Sequence, residues 1–159
     1  MIKVRKKGSL FRWFSWRSSG KAHFAIEVPR NTDVDVDTAG GSILVRQVRA
    51  AVRADTSGGG ITIEQVQGPV DADTSGGAIR TREIDGSVTA DTSGGGITVK
   101  VDPEVALDID ASTSGGSIIN EIELLTERVS RTFLRGKLGG GGEQLRVRTS
   151  GGSIRILPL

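Results

Sequence analysis

Four aspartates, Asp37, Asp55, Asp73 and Asp91, recur every 18 residues, each followed by threonine and then a short glycine run. Two carboxylates about 5 Å apart can share nucleophile and acid duties, as in a retaining glycosidase, and stacked strands would bring successive aspartates that close. The same rank could offer oxygens to calcium, a hard cation that takes six to eight of them. Both readings meet an obstacle. Sugar-cleaving β-helices surround their substrate with long loops, whereas the corners between these repeats are only a few residues long. Calcium-binding rolls repeat aspartate every nine residues and place it after the glycines, while here it precedes them. The plainer expectation is that each aspartate caps the following Ser-Gly-Gly turn through backbone N–H groups. Stacked like charges would then raise some pKa values and titrate as a coupled set. No catalytic or cofactor-binding residue is assigned, and the four aspartates stand only as a weak calcium ladder.

Other chemistry finds less support. The chain has no cysteine, which excludes disulfides, thiolate metal sites and cysteine nucleophiles. His23 is the only histidine and has no serine or cysteine partner in a recognisable motif. Gly139–Gly142 is not followed by the Gly-Lys-Ser/Thr of a phosphate loop. An ice-binding surface needs regular outward threonines, but the rank Leu44, Thr62, Arg80, Thr98 is mixed and charged.

The elements that would position these residues follow from a repeat. The heptapeptides DTAGGSI (37–43), DTSGGGI (55–61), DTSGGAI (73–79) and DTSGGGI (91–97) return as STSGGSI (112–118) and RTSGGSI (148–154), at offsets of 18, 18, 18, 21 and 36. The offset of 21 marks a three-residue insertion around Val101–Val105, and 36 implies one degenerate coil in between. Within a unit Val52, Ala54 and Thr56 alternate with polar residues, and so do Ile61 and Ile63, which is the period of a strand. The glycines between the two strands suit a sharp corner by tolerating positive φ. Units of two short strands cannot bury an apolar face alone, so they must stack. The predicted fold is all-β: a single-domain parallel β-helix, or β-solenoid, with about 18 residues per coil. Inward Thr38, Thr56, Thr74, Thr92, Thr113 and Thr149 form a structural ladder whose hydroxyls bond one another or a corner carbonyl.

Residues 1–22 read as a basic, aromatic N-terminal cap and 23–159 as the repeat domain. Phe11, Trp13, Phe14 and Trp16 are the expected plug, with an interfacial membrane anchor as the alternative. Phe24, Ile26 and Val28 read as the first regular strand. Pro158 is expected to blunt strand addition at the far end.

The net charge of +2 conceals segregation: residues 1–22 carry seven bases and no acids, 23–127 carry 18 acids and seven bases, and 128–159 carry seven bases and Glu143. The acidic middle argues against a nucleic-acid partner despite the basic ends. No transmembrane segment and no signal peptide is read, so the chain as written is expected in the cytoplasm, or at the envelope or outside if an export signal precedes it.

The repeated T-S-G-G-x-I units, the FRWF stretch ahead of HFAIEVP (23–29) and the closing LRGKLGGGGEQLRVRTSGGSIRI (134–156) resemble the bacterial adhesin-type β-strand-repeat family, a domain of unknown function. The resemblance spans essentially the whole chain. It implies a non-catalytic solenoid of envelope-associated or secreted proteins, sometimes cytoplasmic, and supplies no catalytic residues. The expected function is an adhesin-like or structural module that presents a repetitive surface to a protein or glycan at the bacterial envelope. End-to-end self-assembly into a scaffold is the alternative, and a polysaccharide-acting β-helix enzyme ranks last.

Overall fold

The computed structural model describes residues 4–6, 9–11 and 25–159. Among them are strands and turns, and no helix long and apolar enough to cross a membrane. In chain order the strands are β1 (Val4–Lys6), β2 (Ser9–Phe11), β3 (Val34–Thr38), β4 (Ile43–Val48), β5 (Val52–Thr56), β6 (Ile61–Val66), β7 (Val70–Thr74) and β8 (Ile79–Ile84). They continue as β9 (Val88–Thr92), β10 (Ile97–Val101), β11 (Leu107–Thr113), β12 (Ile118–Asn120), β13 (Leu125–Val129), β14 (Phe133–Leu138), β15 (Glu143–Thr149) and β16 (Ile154–Pro158).

Each coil contributes one strand to each of two facing sheets. One sheet runs β12-β16-β10-β8-β6-β4, parallel throughout; the other runs β13-β14-β11-β15-β9-β7-β5-β3. The strands of successive coils pair residue on equivalent residue: Thr38, Thr56, Thr74 and Thr92 lie in one column, and Ile43, Ile61, Ile79 and Ile97 in another. The expected parallel solenoid is therefore present. Side chains at alternate positions point inward, where Ile61, Ile63, Ile79, Ile97, Ile154 and Ile156 are almost wholly buried. Each such side chain contributes about 1.5–3 kcal/mol by leaving water. Opposite them, Ala54, Ala72, Ala90 and Ala111 are also fully buried, and their small size keeps the two sheets close.

The order of coils in space departs from their order in sequence. The last coil, β15–β16, lies between β9–β10 and β11–β12, with β15 parallel to both β9 and β11 and β16 parallel to both β10 and β12. The heptapeptide column therefore runs 37, 55, 73, 91, 148, 112. The offset of 21 acquires a cause: the ordinary corner between β8 and β9 spans residues 85–87, but 102–106 must carry the chain past a full rung. Here Val105 N–H bonds to Asp102 O and Glu104 N–H to the Asp102 side chain.

Three expectations need correction. No degenerate coil fills the interval of 36; β13 and β14 form an antiparallel hairpin that pairs with the outer edge of β11. The segment β14 cannot continue the solenoid because it has no strand in the facing sheet. Residues 25–29 are not a strand, and Ile26 is exposed, so the first coil begins at Val34. Pro158 does not protect an edge, since β16 is interior and Pro158 sits beside Val101 at the strand end. Trp13, Phe14, Trp16, His23 and Phe24 lie outside the described residues, as does the 22/23 boundary. Phe11 ends β2, whose backbone pairs antiparallel with β1.

Candidate functional site

A shallow trough of about 620 Å3 runs along the outer margin of the eight-stranded sheet. It is lined by the Asp, Thr and Ser positions of successive heptapeptides, including Asp55, Asp73, Asp91 and Arg148. Strand alternation explains the lining: in each D-T-S run the threonine turns inward and its neighbours turn out.

The inward threonines fasten the corners. Thr74 Oγ1 donates to Gly59 O of the preceding coil at 2.9 Å and accepts from Gly77 N–H of its own coil at 3.2 Å. Thr56, Thr92, Thr149 and Thr113 repeat both bonds, with Gly41, Gly77, Gly95 and Gly152 as acceptors. Of the two arrangements open in the sequence, the hydroxyls take the corner carbonyl. This corrects the expected aspartate cap. The corner amide faces inward, where threonine points, so the outward carboxylates are on the wrong side to reach it. Among the described residues none of Asp37, Asp55, Asp73 and Asp91 accepts a backbone N–H.

The glycines also have a different cause from the one expected. None in the T-S-G-G runs has a left-handed φ. A Cβ on Gly59, Gly77, Gly95, Gly116 or Gly152 would instead come within 2.1 Å of the carbonyl oxygen of the glycine below. Left-handed backbone occurs at Gln47, Gln65 and Glu83, with φ between 54° and 58°. These residues turn β4, β6 and β8 so that Val48, Val66 and Ile84 point inward.

Asp37, Asp55, Asp73 and Asp91 stand in one column, about 4.8 Å apart as parallel strands require. The column continues through Arg148 and ends at Ser112. Arg53 bonds Asp55 at 2.9 Å and lies 3.6 Å from Asp71. Partial burial raises the Asp73 carboxyl above its ordinary value, and Asp71, Asp55 and Asp91 add to the shift by repulsion. Asp91 is raised mainly by burial as well, opposed by Arg148 and Arg146. The carboxylates form a line and do not converge; among the described residues no three acidic or histidine side chains gather as a metal site.

Sequence reasoning missed Arg148 in this rank and Arg146 in the one beside it. Arg148 pairs in register with Asp91, and Arg146 with Asp110. The only signal was the replacement of Asp by Arg in the last heptapeptide, which gives no position in space. Beyond Asp110, Arg135 of β14 bonds its carboxylate through Nη2 at 2.6 Å.

The family model Toastrack DUF4097 matches residues 17–157. No curated protein and no solved structure matches the chain.

Proposed function

The chain belongs to the Toastrack family, a domain of unknown function, and on that premise we propose that it is a non-catalytic, adhesin-like module that presents its polar face to a ligand at the bacterial envelope. The observation that supports this reading is the registered column of Asp37, Asp55, Asp73 and Asp91 beside outward serines in an open trough. Repetition at strand spacing offers one ligand many equivalent contacts, and linked weak contacts bind far more tightly than any one alone. The matching ligand carries hydroxyls or positive charge at a similar repeat, as an extended glycan or a basic peptide does. A shallow trough does not exclude water from a reacting bond, which favours binding over hydrolysis.

Glycan arrays and pull-downs with the wild-type chain and an Asp55→Asn/Asp73→Asn variant test this. The wild type should retain a ligand at micromolar concentration, and the variant should lose roughly tenfold, about 1.4 kcal/mol. Absence of any ligand for the wild type at that concentration would count against the proposal. Measurable polysaccharide hydrolysis that the same variant abolishes would establish an enzyme in its place.

A second reading is a self-assembling scaffold. It is favoured by β13, the outermost strand of its sheet, where Leu125 and Val129 are 72% and 63% exposed. An unpaired apolar edge invites strand addition by another chain. Sedimentation over a range of concentrations separates a monomer from growing filaments.

A further inference from the structure

The last coil occupies a slot whose walls were laid down earlier in the chain. β9 and β10 form one wall, β11 and β12 the other, and residues 143–158 fill the single rung between them. On one sheet β15 pairs with β9 from Leu145 to Thr149 and with β11 from Glu143 to Thr149. On the other, β16 pairs with β10 and β12. Leu145, Val147, Ile154 and Ile156 are buried to 1% exposure or less. The bonds that hold the coil are ladder bonds, a threonine-to-glycine clamp on each side and stacked side chains. Nothing in them requires that the coil and the slot belong to the same molecule.

Two further features bear on exchange. Entry to the slot runs through Gly139–Gly142, which passes over the start of β11, because Leu138 and Glu143 both stand level with Leu107 on opposite sides of that strand. Gly139, Gly140 and Gly141 hold φ of 57°, 90° and 92°, so the crossover is a folded-back hinge without side chains to lock it. Extended, four residues reach about 13–14 Å, enough to step to an adjacent molecule. The slot is also complementary in charge to the coil: Arg148 stands against Asp91 on one wall and Arg146 against Asp110 on the other.

We propose that this slot is an exchange site for a second copy of the chain. Opening of the glycine crossover lets residues 143–158 of one molecule fill the slot of another, reciprocally, to give a closed dimer in which every ladder bond of the monomer is re-formed. Exchange of an identical element is a low-cost route to a dimer because the contacts are those already selected in the monomer.

The absence of native cysteine makes the test free of background. Thr89 and Arg146 are register partners across β9 and β15. Their strands lie about 4.8 Å apart, inside the span of about 4.4–6.8 Å that a disulfide bridges. Full-length Thr89→Cys and Arg146→Cys variants, differently tagged, are mixed, warmed to below the onset of global unfolding, cooled and oxidised. A disulfide-linked heterodimer should form after warming and be absent without it. A Thr89→Cys/Arg146→Cys chain should close an internal disulfide and no longer exchange. The proposal fails if the double variant closes and the mixture stays monomeric. It fails equally if Thr62→Cys, on the outer face of the other sheet, links to Arg146→Cys as readily, since that would be collision. Failure of the double variant to close would remove the register on which the slot rests.

Discussion

Thr74 and Thr81 are seven residues apart, both buried, and their hydroxyls meet opposite fates. Thr74 Oγ1 bonds twice at the corner, to Gly59 O and Gly77 N–H. Thr81, between Ile63 and Val99 in the core of the other sheet, has no partner for its hydroxyl. One substitution should therefore have two signs. Thr74→Val strands a buried amide and carbonyl and should destabilise by about 1–3 kcal/mol, while Thr81→Val removes an unmet donor and should stabilise by about 1 kcal/mol. Urea titration of both variants measures the difference, and equal signs would contradict the assignment. The glycines divide in the same way. A Cβ on Gly77 would lie 1.9 Å from Gly59 O, whereas on Gly76 the nearest atom is 3.6 Å away. Gly77→Ala should cost about 3 kcal/mol or more through forced separation of the coils. Gly76→Ala should be neutral or stabilise by up to about 1 kcal/mol through the unfolded chain. Adjacent identical residues thus answer to different constraints, close approach at one and none at the other. The T-S-G-G spelling alone does not distinguish them.

At the level of elements, strand positions and the inward columns were readable because period-two alternation is a local property. Val52-Ala54-Thr56 and Ile61-Ile63 could be placed from their own neighbours. What escaped was everything decided by partners distant in sequence. Hairpin β13–β14 shares the apolar content of a coil, and nothing local in Leu134, Gly136 and Leu138 states that they run antiparallel to β11. The candidate site divides likewise: the column Asp37–Asp91 followed from the period, but Arg148, which extends it, depends on where the last coil docks. The bend in β6 was missed for a different reason, since Gln65 is not a residue type that announces left-handed backbone. Its φ of 58° nonetheless sets which side Val66 faces. Gln65→Val should lose about 1–2 kcal/mol, because a branched Cβ crowds the following carbonyl in that conformation. Gln65→Gly should lie within about 1 kcal/mol of wild type, as glycine adopts positive φ freely. Thermal melts of the two variants check the order, and a valine variant at least as stable as the glycine one would contradict the bend.

Over the whole molecule, docking of the last coil converts a charge pattern segregated in sequence into one interleaved in space. Acidic coils 37–91 are met by Arg146 and Arg148, and β11 is flanked on its two sides by Arg146 and by Arg135 with Lys137. The neutralisation is uneven. It reaches Asp91, which Arg148 and Arg146 pull down against its burial, but not Asp73, whose repulsion comes from Asp71, Asp55 and Asp91 with only Arg53 opposing. Both carboxyls titrate above 3.8 in the folded state, so folding makes them hold protons more tightly. Between the folded value and 3.8 the native state binds more protons than the unfolded one, and stability must rise as pH falls. The penalty is full at neutral pH, is relieved as pH drops through the raised folded values, and is gone below 3.8. Because both side chains still face solvent, the gain is modest. Asp73→Asn should therefore raise the melting temperature at pH 7 and flatten its rise on acidification, whereas Arg148→Gln should steepen that rise by leaving Asp91 opposed by Arg146 alone. Melting curves at intervals from pH 7 down to about pH 4 test both. A wild type that loses stability steadily over that range, or an Asp73→Asn variant that melts earlier at pH 7, would mean that the carboxylate column is not under strain in the folded molecule.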